Sequence, residues 1–195
     1  MDKRKVELTR KTRETAIKVE LLPESPGNIA IQTGHPFLDH LLQAAAFHGG
    51  FGLMIRARGD SEVDPHHTVE DIGIVLGECL KKLVAEHGPV KRFGHAVIPM
   101  DEALAEINVD VCGRPTLVLQ AEFPQPRVGD FDLVLLRELL LGLANRAGIS
   151  LHARARYGEN SHHMAEALFK ALGKAVGQAF APESEVRSTK GTLQG

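Results

Sequence analysis

Apolar and polar positions change period several times along this chain. Val6 to Arg10 alternates, and Thr15 to Leu21 alternates again with Ile17, Val19 and Leu21 on one face, the pattern of half-buried strands. The turn-forming run Pro23-Glu24-Ser25-Pro26-Gly27-Asn28 follows, and Ile29 to Ile31 resumes as a short strand. Pro36 to Phe47 predicts a helix stopped by Gly49-Gly50, and Leu53, Ile55 and Ala57 alternate as a strand. Asp64-Pro65 has the form of an N-cap with proline at the first helical position. It opens a helix from about His66 to His87, whose apolar stripe is Val69, Ile72, Val75, Leu76, Cys79, Leu80 and Leu83.

The same order then recurs. Strands are expected near Phe93–Pro99, Ala103–Val111 and Thr116–Phe123, and a helix over Phe131 to Ala147, stopped by Gly148. Ile149 to Tyr157 is expected as a strand, and Asn160-Ser161 caps a last helix from about His162 to Phe180. Residues repeat as well as elements. The segment from His40-Leu41-Leu42 to Arg56-Ala57-Arg58-Gly59 aligns with Glu138-Leu139-Leu140 to Arg154-Ala155-Arg156-Tyr157. Each leads to a His-His-x-x-Glu motif, after 26 residues from His40 to His66 and 24 from Glu138 to His162. A two-residue difference in loop length costs little. The pattern predicts an α+β protein, a duplicated two-layer α/β sandwich with two pseudo-symmetric half-domains. Residues 1–195 read as one domain, with half-repeats at 1–90 and 91–195.

Composition narrows the function classes. With 43% hydrophobic and 25% charged residues, the chain has the make-up of a globular protein with a core. A formal net charge of -2, no tryptophan and only 5% aromatics give no basic surface or stacking platform, so nucleic acid is not an expected partner. The charged start Met1-Asp2-Lys3-Arg4-Lys5 has no apolar signal core after it, and no stretch is long enough to span a membrane. Cys79 and Cys112 read as reduced thiols rather than a disulfide, and the cytoplasm is the expected location.

Ten histidines is a high count for this length, and four of them form the adjacent pairs His66-His67 and His162-His163. At about 100° per residue, His66 and Glu70 lie within about 40° of each other and one turn apart, so they can close on one ion. His67 points about 100° away and is expected to serve a different ion or a supporting role. The same holds for His162 with Glu166, and for His163. His40 and Glu138, matched by the repeat, are the natural further ligands, one for each ion. A single His-x-x-x-Glu is commonplace, but two copies at matching repeat positions argue for a pair of divalent transition-metal ions. Imidazole with carboxylate suits manganese, iron, cobalt, nickel or zinc, and the lack of cysteine argues against a structural zinc clip. On these residues alone, a metal-binding or sensing protein and a metal-dependent hydrolase are both open readings.

Several ordered motifs then bear on function: His35-Pro36-Phe37-Leu38-Asp39-His40 with His48-Gly49-Gly50, Asp64-Pro65-His66-His67-Thr68-Val69-Glu70-Asp71, Arg92-Phe93-Gly94, Pro99-Met100-Asp101-Glu102-Ala103-Leu104, Gly113-Arg114-Pro115, Asn160-Ser161-His162-His163-Met164-Ala165-Glu166-Ala167-Leu168-Phe169-Lys170-Ala171 and Ser188-Thr189-Lys190-Gly191. Along nearly its whole length the chain resembles the imidazoleglycerol-phosphate dehydratases of histidine biosynthesis. The resemblance implies a cage-like homo-oligomer of 24 chains with active sites at subunit contacts, and two Mn2+ ions per site. It implies dehydration of a phosphorylated imidazole substrate, imidazole glycerol phosphate, to imidazole acetol phosphate. It makes His40, His66, His67, Glu70, Glu138, His162, His163 and Glu166 the metal ligands, although the position of Glu138 is usually histidine in the family. Glu14 becomes the proton-transfer candidate. Arg92, Arg114, Lys170, Ser188, Thr189 and Lys190 become phosphate-binding residues, a task suited to guanidinium and ammonium groups. His48 is expected to face the substrate. His35, His87, His95 and His152 are left as structural or solvent-exposed, and Asp101 and Glu102 as groups that could orient the ligands.

Overall fold

The computed structural model describes residues 4–60 and 62–185. The first half comprises β1 (Val6–Lys11), β2 (Thr15–Leu22), β3 (Ile29–Gln32), α1 (Pro36–Gly49), β4 (Gly52–Gly59) and α2 (Pro65–His87). The second comprises β5 (Phe93–Met100), β6 (Ala103–Asp110), β7 (Thr116–Gln120), a small hairpin of β8 (Arg127–Val128) and β9 (Phe131–Asp132), α3 (Leu135–Ala147), β10 (Ser150–Tyr157) and α4 (Ser161–Ala179).

Each half builds one four-stranded sheet, ordered β1-β2-β4-β3 and β5-β6-β10-β7. The matching strands occupy matching places: the first two pairings in each sheet are antiparallel and the last is parallel. The alternation read in the sequence is the reason. In β2, Ile17, Val19 and Leu21 point into the core while Lys18 and Glu20 point away from it. The duplicated α+β architecture is therefore present in backbone as well as in sequence.

Two expectations need correction. Phe131 does not open a helix. It lies in a strand that pairs with Val128, and α3 begins only at Leu135. Gly129, at φ 56°, turns this hairpin, and the buried Phe131 ring packs 5.9 Å from that of Phe37. Burial of a large ring against the other half outweighs the helical period. Strand β7 stops at Gln120, short of Phe123. Pro124 and Pro126 follow, and neither can donate to a ladder.

The helices pack across the halves, α1 on α4 and α2 on α3, while α2 and α4 also cover the sheets. Both crossings run close because glycines leave room for backbone. A Cβ on Gly173 would sit 1.9 Å from the carbonyl oxygen of Ala45, and one on Gly73 would sit 2.2 Å from that of Leu139. Ile72, Leu136, Leu139, Leu140 and Phe169 are among the side chains sealed in this layer. Cys79 and Cys112 are both free and buried. Among the described residues, no helix is long and apolar enough to cross a membrane.

Candidate metal centre

Capping sets where each histidine pair sits on its helix. The Asp64 side chain accepts the His66 N–H at 2.9 Å, and the Asn160 side chain accepts the His162 N–H at 2.9 Å. The start of α4 is pinned further by a reciprocal pair, Gln125 N–H to Ser161 Oγ and Ser161 N–H to Gln125 Oε1, both 2.8 Å. Both helices thus begin one residue before the motif, which puts its histidines at the second and third helical positions. The first histidine then faces the glutamate one turn on: His66 Nε2 lies 3.9 Å from Glu70 Oε2, and His162 Nε2 lies 3.1 Å from Glu166 Oε2. The two rings of each pair stand nearly perpendicular, at 82° and 85°, so each pair addresses two directions.

His40 joins the second motif from across the molecule. Its Nε2 is 2.9 Å from Glu166 Oε2, and the donor atoms of His40, His162 and Glu166 all lie within 4.8 Å of one another. Two imidazoles and one carboxylate converging in this way fit a divalent first-row transition ion. Lys170 Nζ meets Glu166 Oε1 at 2.8 Å. Burial alone would raise the Glu166 pKa, but hydrogen bonds and charge from Lys170 and His40 outweigh it and bring the group down to about 2. The carboxylate is therefore ionised and ready to ligate. The Phe37 ring walls the cluster, 5.1 Å from the ring of His162.

The equivalent set in the first motif does not close. Among the described residues, the His40 set alone brings three such donors together, and Glu138 joins no cluster with His66 and Glu70. The Glu138 carboxylate instead meets its neighbour Arg137, Oε1 to Nη1 at 3.2 Å. A carboxylate beside a cation is drawn to it and is repelled by another carboxylate, whereas a neutral imidazole feels neither pull.

The third-position histidines face hairpin turns. Lys11 pairs with Ala16 and Pro99 with Leu104, and in each turn the second central residue is a glutamate, Glu14 or Glu102. Glu102 Oε2 accepts from His163 Nδ1 at 2.7 Å, while Oε1 accepts the N–H groups of Glu159 and Asn160 at 3.0 and 2.8 Å. The hydrogen bond to His163 is the main reason the Glu102 pKa falls to about 2, and the same bond raises that of His163. His163 Nε2 has only long contacts, 3.5 Å to Asn160 Nδ2 and 3.6 Å to Asp101 Oδ2, so with Nδ1 committed to a carboxylate it is the nitrogen a neutral ring would offer to a ligand. His67 Nδ1 lies 3.2 Å from both oxygens of Asp60 and 3.9 Å from Glu14 Oε2, and its pKa is raised chiefly by Asp60. Nothing in the motif spacing marks Asp60 as a partner.

The remaining candidates divide. Lys170 stands at the donor cluster. His48, in the last turn of α1, is lowered in pKa by burial and by the positive charges of Lys170 and Lys174. Arg92 and Arg114 are not at the cluster. They lie at the far end of β5 and β6 from the Asp101-Glu102 turn, roughly 25 Å away along strands of eight residues. Arg92, in the left-handed region at φ 75°, donates from Nε to Asp110 Oδ1 at 2.7 Å and stacks its guanidinium 4.7 Å from the Phe93 ring centre. Ser188, Thr189 and Lys190 lie outside the described residues. A cleft of about 400 Å³ opens beside His162, lined by Gln125, Arg127, Val128, Glu159 and Asn160; apart from the Asn160 cap, no motif in the sequence marks these residues. An apolar cavity of about 220 Å³ among the C-terminal halves of the helices contains none of the metal donors.

Comparison with known proteins bears on this geometry. The family profile described as Imidazoleglycerol-phosphate dehydratase matches residues 33–176. An imidazoleglycerol-phosphate dehydratase of Acidithiobacillus ferrooxidans is 46% identical over 99% of this chain and 99% of its own, and one of Desulforudis audaxviator is 48% identical over 97% and 98%. The crystal structure of the enzyme from Pyrococcus furiosus superposes with a TM-score of 0.84 at 38% identity, covering 94% of this chain and 99% of that one. The chain thus belongs to the imidazoleglycerol-phosphate dehydratase family and is an enzyme of the lyase class, a dehydratase.

Proposed function

We propose that the chain converts imidazole glycerol phosphate to imidazole acetol phosphate in histidine biosynthesis. In this reading it uses two manganese ions per site and works in a cytoplasmic homo-oligomer of 24 chains with active sites between subunits. The observation that carries the metal reading is the convergence of His40, His162 and Glu166 within 4.8 Å, beside a His163 whose Nδ1 is already held. The ligands in this reading are His40, His66, His67, Glu70, Glu138, His162, His163 and Glu166. The rings of His67 and His163 stand nearly perpendicular to those of the first histidines of their own motifs, as suits ligands that serve a different ion across a subunit contact.

The reaction removes a hydroxyl from one carbon and a hydrogen from the next, and the resulting enol becomes the ketone. The leaving proton has no neighbouring carbonyl to acidify it, so the imidazole ring is the electron sink. When bound, the metal ions supply Lewis acidity and a template for the ring. The chain's own residues do the rest. Glu14 transfers the proton: its side chain is 58% exposed and is not spent on backbone N–H groups, unlike that of Glu102. Lys170, Arg92, Arg114, Ser188, Thr189 and Lys190 hold the phosphate, and His48 faces the substrate. The separation of Arg92 and Arg114 from the donor cluster favours their delivery from a neighbouring chain.

The test is turnover of imidazole glycerol phosphate by metal-stripped protein with manganese added back. Manganese-dependent formation of the keto product, abolished by His67→Ala and by His163→Ala, is expected. Two ions bound per chain with no turnover would overturn the proposal.

A further inference from the structure

The two hairpin turns are built alike but are anchored differently. Glu102 anchors its own turn, through His163 and the N–H groups of Glu159 and Asn160. Around it the turn positions are Met100 and Ala103, and the residue after Glu166 on α4 is Ala167, buried and apolar. Among the described residues Glu14 makes no such backbone contacts, and in its half the same three positions are Thr12, Thr15 and Asp71. Asp71 is only 7% exposed. Its Oδ1 accepts from Arg10 Nε at 2.9 Å, and its Oδ2 accepts a short hydrogen bond from Thr15 Oγ1. Thr15 Oγ1 meets Thr12 Oγ1 at 3.1 Å, and Thr12 Oγ1 in turn accepts the N–H groups of Glu14 and Thr15 at 3.1 and 2.9 Å.

We infer that Asp71 is a positioning residue. Through Arg10, Thr15 and Thr12 it clamps the Glu14 turn to helix α2, leaving the Glu14 carboxylate beside His67, 3.9 Å from its Nδ1. A carboxylate that must exchange protons cannot also be the group that fastens its turn. The first half therefore moves the fastening to a buried aspartate beside the metal motif, whereas the second half fastens its turn with the glutamate itself. This inference rests on the proposed role of Glu14.

The experiment is a double-mutant cycle on the manganese-loaded enzyme, paired with hydrogen exchange at the Glu14 and Thr15 amides. Asp71→Asn is expected to lower kcat on the order of 100-fold through misplacement of the proton-transfer group, with KM and manganese stoichiometry unchanged. In a Glu14→Gln background the same substitution should cost nothing more, because both act on one step. Thr15→Val should reproduce the loss and Thr15→Ser should restore it, which keeps the test decisive if Asp71→Asn folds poorly. Amide protection at Glu14 and Thr15 should fall in Asp71→Asn and Thr15→Val but not in Glu14→Gln. Unchanged protection, equal losses of kcat in both backgrounds, or a lost metal ion would overturn the inference. Full activity in Glu14→Gln with protection still lost in Asp71→Asn would instead overturn the Glu14 assignment and leave the clamp standing.

Discussion

Glu102 and His163, 61 residues apart in the chain, are joined carboxylate to Nδ1 at 2.7 Å. The same carboxylate ties down the two residues that lead into α4. One side chain thus orients the ring and fixes the helix start that carries it. Glu102→Gln replaces one carboxylate oxygen with an amide nitrogen and so loses one of these acceptors. Partners of this kind are worth roughly 10- to 100-fold in metal affinity. Isothermal titration of the metal-stripped protein with manganese should show a loss of that size, and unchanged affinity would mean that His163 does not ligate.

Glu138 sits at the repeat position of His40 but spends its carboxylate on Arg137. In Glu138→His the neutral ring escapes the pull of Arg137. An ion held by the first motif should therefore bind more tightly, while one at the His40–His162–Glu166 set is unaffected. Equilibrium dialysis against manganese, read as two classes of site, separates these; equal weakening of both sites would count against the pairing of Glu138 with the first motif.

Helix α1 reaches α4 because Gly173 has no side chain. A Cβ there would stand 1.9 Å from the Ala45 carbonyl oxygen and 2.6 Å from its carbon, with backbone rather than a flexible tip in the way. Gly173→Ala should destabilise the fold by about 1–3 kcal/mol as the helices part. Because His40 rides on α1 and Glu166 on α4, manganese affinity should fall along with the urea midpoint. A normal midpoint would mean that the crossing can open without cost.

Burial pushes the Cys79 thiol up to about 12. In the unfolded chain a thiol ionises near pH 8.5, so the unfolded state gains from deprotonation first. The contribution of this residue is fully present below that pH and is lost as pH rises toward 12. Native protein at pH 8 should leave Cys79 unmodified by iodoacetamide, while urea-unfolded protein should react, as mass mapping of the labelled peptide would reveal. Rapid native labelling would contradict the burial.

The amino-acid sequence by itself determined the duplication, the strand and helix order, and the two caps that start the motif helices. These are local properties: alternation, the 3.6-residue period, and Asp64 or Asn160 reaching two residues ahead. The sequence also supplied the pairing of each first histidine with the glutamate four residues on, which is a matter of helix geometry alone. Tertiary structure decided the rest. It brought His40 to His162 and Glu166 across the halves, which depends on glycines leaving room for backbone. It diverted Glu138 to Arg137, a competition between charges that spacing cannot rank. It drew Phe131 out of the expected helix to bury its ring, set Asp60 beside His67, and left Arg92 and Arg114 at the far end of the second sheet. Local pattern specifies which way a side chain leaves its own element. Which distant groups it meets is settled only when the apolar faces pack.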